Sequence, residues 1–259
     1  MAKKTIGLAL SGGGARGFAH LGVVRALIEG GVRFDIVTGT SAGSFVGAAL
    51  ATGMPVDEIV RIGRRVTWFN MAGLSYSPRA LLSNSAMGAF IAQNFTPGRI
   101  EDLKHRYAAV ACDINAAEQV ILDKGDVALA VRASCAVPGV FSPTTDGDGR
   151  MLIDGGVLNP LPADVARRMG ADVVIGVDLL ACGANFRSTP RTALGMLFQS
   201  AMILLRAASR QQSDRGDIVI EPEIAHIRPD EIGKREELIE LGEAAGKRML
   251  PQILEMIGE

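Results

Sequence analysis

DIVTGTSAGSFVGAALATG, residues 35–53, changes character at its middle. Residues 35–38, with Ile36 and Val37 at their centre, read as a short strand, and SFVGAALATG (44–53) reads as a small-residue helix. Between them stands Gly39-x-Ser41-x-Gly43, a G-x-S-x-G pattern in a strand–turn–helix setting. A serine held on such a sharp turn needs small neighbours two residues either side. Ala42, Gly43 and Ser44 keep its approach open. Ser41 also lies near the start of the following helix, where the dipole and free N–H groups favour developing negative charge. Ser41 is therefore a candidate nucleophile. The plain alternative is a helix N-cap whose glycines serve packing.

Upstream, TIGLAL (5–10) is a compact buried strand, and residues 15–29 follow as a helix with Phe18, Leu21, Val24 and Ile28 at helical spacing. The loop between them is Ser11-Gly12-Gly13-Gly14-Ala15-Arg16-Gly17. Consecutive glycines let backbone N–H groups turn inward together and bind an oxyanion. Acyl transfer needs such donors where the tetrahedral oxygen forms. Gly12, Gly13 and Gly14 are the candidates. The same loop matches G-x-G-x-x-G, but a dinucleotide site expects an acidic residue at the end of the second strand. That strand ends in Gly39-Thr40-Ser41, and Asp35 precedes it. Arg16 has two readings, a substrate or phosphate contact, or a clamp on loop carbonyls.

Downstream, Pro55 opens a helix near 55–66. Residues 67–98 are irregular and rich in Trp68, Phe69, Met71, Leu74, Tyr76, Leu81, Leu82, Met87, Phe90, Ile91 and Phe95. Ordinary core is the expectation for most of them, with an apolar wall or lid over a lipid-sized pocket as the alternative. Strands are expected at 107–114, 119–122, 151–153, 171–179 and 217–220, and helices at 126–136, 162–169, 190–213 and 233–257. This alternation implies an α/β fold, a central mostly parallel sheet with helices on both faces in a single domain. The long helix carries Leu194, Leu197, Met202, Leu204 and Leu205, expected to pack in the core, with a homodimer face or a membrane-surface contact as the alternatives.

A late histidine would complete a Ser-His-Asp triad, yet His20, His105 and His226 lack any supporting motif. Asp154-Gly155-Gly156 is the better candidate partner, because an ionised aspartate beside Ser41 could take its proton directly. Alone, Asp-Gly-Gly would read as a turn.

The totals set bounds. Lys+Arg 27 against Asp+Glu 28 argues against a nucleic-acid partner. Cys112, Cys135 and Cys182 form no C-x-x-C pair and read as reduced thiols of a cytoplasmic protein. No His/Asp/Glu cluster has metal-ligand spacing, so neither metal nor cofactor is expected. The apolar run after the first lysines is too short for a signal peptide, and no stretch reaches the length that crosses a bilayer.

Three motifs stand in order: SGGGARG at 11–17, GTSAG at 39–43 and DGG at 154–156. Together with ASCAVPGVFSP (133–143) and LIDGGVLNPLPADVARRMGADVVIGVDL (152–179), they resemble the short bacterial members of the patatin-like phospholipase family. The resemblance is dense over 5–54 and 105–180. It implies a Ser–Asp dyad, with Ser41 as nucleophile, Asp154 as base and the Gly12–Gly14 loop as oxyanion hole. It also implies hydrolysis of lipid acyl esters through an acyl-enzyme, with a lipid or ester as partner. A cytoplasmic protein touching the membrane peripherally fits that picture. Residues 5–220 would form the hydrolase domain and 221–259 a helical extension packed on it. The competing function is an acyl-lipid-binding or regulatory protein with little turnover.

Overall fold

The computed structural model describes residues 4–75, 78–182, 190–212 and 214–258. β1 (Ile6–Leu10) leads through a single 3-10 turn at Gly14–Gly17 into α1 (Phe18–Glu29). The helix expected from residue 15 thus opens as a 3-10 turn. β2 (Ile36–Thr40) is followed at once by α2 (Ala42–Ala51) and then α3 (Val56–Arg64). The irregular stretch resolves into α4 (Trp68–Met71), β3 (Gly73–Leu74), β4 (Ala80–Ser83) and α5 (Ser85–Asn94). Next come β5 (Arg106–Asp113), β6 (Glu118–Leu122), α6 (Val127–Ser134), β7 (Gly139–Phe141), β8 (Thr144–Thr145) and β9 (Met151–Asp154). The chain finishes with α7 (Ala163–Arg168), β10 (Val173–Val177), α8 (Ala193–Gln211), β11 (Ile218–Ile220) and α9 (Arg235–Ile257). Tyr76, residue 213 and the side chain of Leu194 lie outside the described residues.

The main sheet runs β11-β10-β1-β2-β5-β9-β8, with β6 also paired to β5. Its first five strands are parallel. β6 and β9 meet β5 antiparallel, and β8 meets β9 antiparallel. A smaller sheet, β3-β4-β7, stands apart.

Strand alternation divides the core unequally. Ile6, Leu8 and Leu10 of β1, with Val173, Ile175 and Val177 of β10, enter the large cluster shared with α1, α2, α5 and α6. Ala9, Ile36 and Val174 face the other way onto α7. Small residues on that face let α7 approach closely. α9 lies along α1 where both helices are notched. A Cβ on Gly22 would collide with the Ile239 carbonyl, and one on Gly242 with that of Ala19. The two backbones therefore touch directly.

α8 departs from expectation. Met196, Leu197, Ile203 and Leu204 are exposed rather than in the core. Its apolar residues spread over more than one helical face, and the side bearing Ser209 and Leu205 meets the body. The 67–98 stretch also divides. Met71, Met87, Phe90, Ile91 and Phe95 are buried, whereas Trp68, Phe69, Leu74 and Leu81 are exposed. No helix among the described residues is long and apolar enough to cross a membrane.

Candidate active site

Ser41 sits between β2 and α2 with φ 53° and ψ −125°, a positive φ that a non-glycine residue adopts only under constraint. The constraint is visible. A Cβ on Gly39 would strike the Gly43 carbonyl, and one on Gly43 would strike that of Leu10. Both glycines are therefore steric requirements of the turn. The Ser41 N–H donates to Ser134 Oγ at 2.8 Å, and Ser134 Oγ donates to the Val110 carbonyl at 2.6 Å. Ser44 Oγ donates to the Ser41 carbonyl at 2.6 Å. The strained residue is tied on both sides.

Asp154 ends β9, its N–H bonded to the Ala136 carbonyl at 2.9 Å. Its carboxylate accepts the Gly156 N–H at 2.8 Å and lies within electrostatic reach of the Ser41 side chain. The structure thus brings together two residues 113 positions apart. Desolvation pushes the Asp154 carboxyl up to about 6, against the opposing pull of Ser41 and the Gly156 N–H. A carboxylate so placed is ionised at neutral pH and is a far better proton acceptor than an exposed one.

The glycine loop is built against this turn. A Cβ on Gly12 would lie 3.4 Å from that of Ser41, and one on Gly17 would lie 2.7 Å from that of Ala42. The three loop glycines are not equivalent. Gly12 N–H is already bonded to the Pro160 carbonyl at 3.0 Å. Gly13 and Gly14 N–H donate to no group among the described residues. The loop is pinned from behind by Ala15 N–H on the Pro229 carbonyl at 2.7 Å.

Arg16 is buried. It is 1% exposed, with Nε donating to the Ile227 carbonyl at 2.7 Å and Nη1 to that of Leu179 at 3.4 Å. These bonds match the carbonyl-clamp reading of this residue. His20 is also internal. Its Nε2 bonds the Ser11 carbonyl at 2.8 Å, and burial holds its pKa down at about 4, so it is neutral. His226 pairs with Glu237 at the surface. Neither histidine joins Ser41.

Ser41 opens on a cavity of about 160 Å³ lined by residues including Gly14, Phe18, Phe45, Ile59, Trp68 and Phe95. Among the described residues no charged side chain lines it. It fits an acyl chain and offers nothing to an ionic group. Residue-by-residue reading missed Ser134 and Cys135, which approach Ser41 from the end of α6. The Cys135 thiol lies against the hydroxyls of Ser41 and Ser44, and burial pushes its pKa up, so it is a neutral thiol. The signal was there, inside the ASCAVPG stretch. Among the described residues no group of three or more His, Cys, Asp or Glu is placed to hold a metal ion.

Comparison with known proteins places the chain in a family. The family model described as patatin-like phospholipase matches residues 8–167. Patatin-like phospholipase domain-containing protein 6 of Homo sapiens is 40% identical over 184 residues, which is 68% of this chain and 13% of the relative. An uncharacterized NTE family protein of Mycobacterium bovis is 38% identical over 177 residues, 67% of this chain and 49% of the relative. The chain therefore spans less than half the length of these relatives. VipD from Legionella pneumophila shares the fold with a TM-score of 0.59 and 16% identity, over 96% of this chain and 67% of VipD. The family match spans the β2–α2 turn and the end of β9 alike, and with relatives 38–40% identical over two thirds of its length this chain is a member of the patatin-like phospholipase family.

Proposed function

We propose that this protein is a lipid acyl hydrolase that cleaves carboxylic esters through an acyl-enzyme. One observation carries the reading: Ser41, on a strained turn, stands beside the buried Asp154 carboxylate and faces an apolar cavity. Ser41 Oγ attacks the ester carbonyl as its proton passes to Asp154. The N–H groups of Gly13 and Gly14 hold the oxyanion, with Gly12 packed against the serine. Collapse of the tetrahedral intermediate expels the alcohol, which takes the proton from Asp154. Water then attacks the acyl-enzyme by the same route, and the carboxylic acid leaves. The cavity holds the acyl chain throughout. Family membership supports the lipid substrate class.

The test is hydrolysis of p-nitrophenyl esters of rising acyl length by wild type, Ser41→Ala and Asp154→Asn, together with fluorophosphonate labelling. Turnover and labelling in wild type, both lost in Ser41→Ala with the fold intact, are the expected result. A wild type that binds long-chain esters without turnover or labelling would replace this reading with the acyl-lipid-binding one.

A further inference from the structure

Residues 59–100 contain five arginines, Arg61, Arg64, Arg65, Arg79 and Arg99, and no lysine, aspartate or glutamate. The chain's formal net charge is −1, so the remainder carries −6. This segment is therefore net positive in a chain whose remainder is net negative. Arg61, Arg64 and Arg99 pair with Glu58, Glu236 and Glu101, which lie outside it. These pairs are exposed and exchange readily for other anions. Arg65 and Arg79 are exposed and flank the same segment's apolar tip.

That tip is unusual for a surface. Phe69 is 95% exposed, Leu74 81%, Leu81 61% and Trp68 45%. Leu74 pairs with Leu82 across the β3–β4 ribbon, so these two share a face, and Leu81 projects from the opposite one. A ribbon apolar on both faces is not satisfied by a flat partner on one side. It is satisfied by a medium that surrounds it.

The tip is continuous with the cavity. Leu82 pairs with Phe141 of β7, and Phe141 lines the cavity wall. The row Phe141, Leu82, Leu74 therefore runs from the cavity to the outside. Trp68 belongs to both, lining the cavity while nearly half exposed. An amphipathic indole beside arginines and apolar side chains suits the boundary between head groups and acyl chains.

We propose that the surface formed by Trp68, Phe69, Leu74 and Leu81, flanked by Arg65 and Arg79, inserts into a lipid surface bearing anionic head groups, which sets the cavity mouth against the source of its acyl chains. This builds on the hydrolase reading for its purpose, but the docking is measured without turnover. Trp68 is the only tryptophan in the chain, so its emission reports the contact directly.

The probe is vesicles of diether phosphatidylcholine, alone or in equimolar mixture with diether phosphatidylglycerol; these lipids contain no carboxylic ester to cleave. The expected result is a blue shift of Trp68 emission and co-sedimentation with the mixed vesicles, weakened by salt. Phe69→Ser with Leu81→Ser is expected to weaken partitioning about tenfold or more. Arg65→Gln with Arg79→Gln is expected to remove the preference for the anionic vesicles. None of these four residues lines the cavity, so both double variants should hydrolyse a soluble short-chain ester as wild type does.

Unchanged emission with every vesicle would overturn the proposal. So would a Phe69→Ser/Leu81→Ser protein that binds as wild type does, or a dimer in solution that buries Trp68 and ignores vesicles. Ester hydrolysis without vesicle binding would sink the docking surface and leave the hydrolase reading standing. Vesicle binding without ester hydrolysis would do the reverse.

Discussion

Replacing Asp154 by asparagine is expected to make the protein more stable while removing its hydrolytic activity. Folding carries the Asp154 carboxyl from its ordinary 3.8 to about 6. A shift of about two units corresponds to roughly 3 kcal/mol against the ionised form in the folded state. The folded protein thus binds this proton more tightly than the unfolded chain does. Stability is undiminished below the unfolded value, falls as pH rises through the window from about 4 to about 6, and carries the whole penalty above it. Asparagine has no charge to desolvate and keeps an oxygen for the Gly156 N–H, although its amide suits Ser41 less well. The net gain at about pH 8 is therefore about 1 to 3 kcal/mol, or about 2 to 4 °C in melting temperature per kcal/mol for a chain of this size. Thermal unfolding followed by circular dichroism at about pH 8 and again at about pH 4.5 measures it. The gain should shrink at the lower pH, where wild type is already neutral at this position. Activity toward a soluble ester should fall at least about a hundredfold in the variant. In wild type, kcat/KM should decline as the pH drops through about 6. A variant no more stable than wild type at the higher pH, or equally stabilised at both, would refute the claim that a desolvated charge is held at this site.

Ser134→Ala leaves the Ser41 N–H and the Val110 carbonyl without their shared partner. It should cost about 1–3 kcal/mol in chemical denaturation and lower kcat more than it raises KM. Gly43→Ala drives a methyl into the Leu10 carbonyl, and a loss of at least about 3 kcal/mol, or failure to accumulate as soluble protein, is expected on expression and melting. Ala49 is 2% exposed and lines the cavity; Ala49→Leu should lower kcat/KM for long acyl chains more than for acetate or butyrate esters. Because burial keeps the Cys135 thiol neutral and 7% exposed, iodoacetamide should leave the activity of the folded protein unchanged.

What the sequence revealed, it revealed where local sterics dictate the residue type. The turn at Ser41 cannot form without glycines at 39 and 43, so its pattern is written into adjacent positions. The strand ends at Thr40 and Asp154 could be placed because apolar runs stop there. Tertiary partners left no such trace. Nothing near Gly12 says that the Pro160 carbonyl will take its N–H, so three consecutive glycines read as three equal donors. Arg16 reads equally well as a ligand contact or a clamp until the carbonyls of Ile227 and Leu179 close around it. α8 was misjudged for a related reason. Periodicity shows that a helix has an apolar face but not whether the body has room to receive it. The exposed tip at Trp68, Phe69, Leu74 and Leu81 escaped in the same way, since apolar composition alone looks like core.

The bond from Ala15 to the Pro229 carbonyl bears on how much of the chain the glycine loop depends on. The family match closes at residue 167, yet β10 supplies the neighbour of β1, and Pro229 and Ile232 form part of the cavity wall. A fragment trimmed to the matched borders would expose one edge of β1 and lose the peg that shapes the glycine loop. The family match takes in Ser41 and Asp154, while the scaffold that holds their loops is drawn partly from chain beyond it. A chain that shared only the matched stretch would need other material in the place Pro229 takes here, or its glycine loop would be free to leave the shape it has against Ser41.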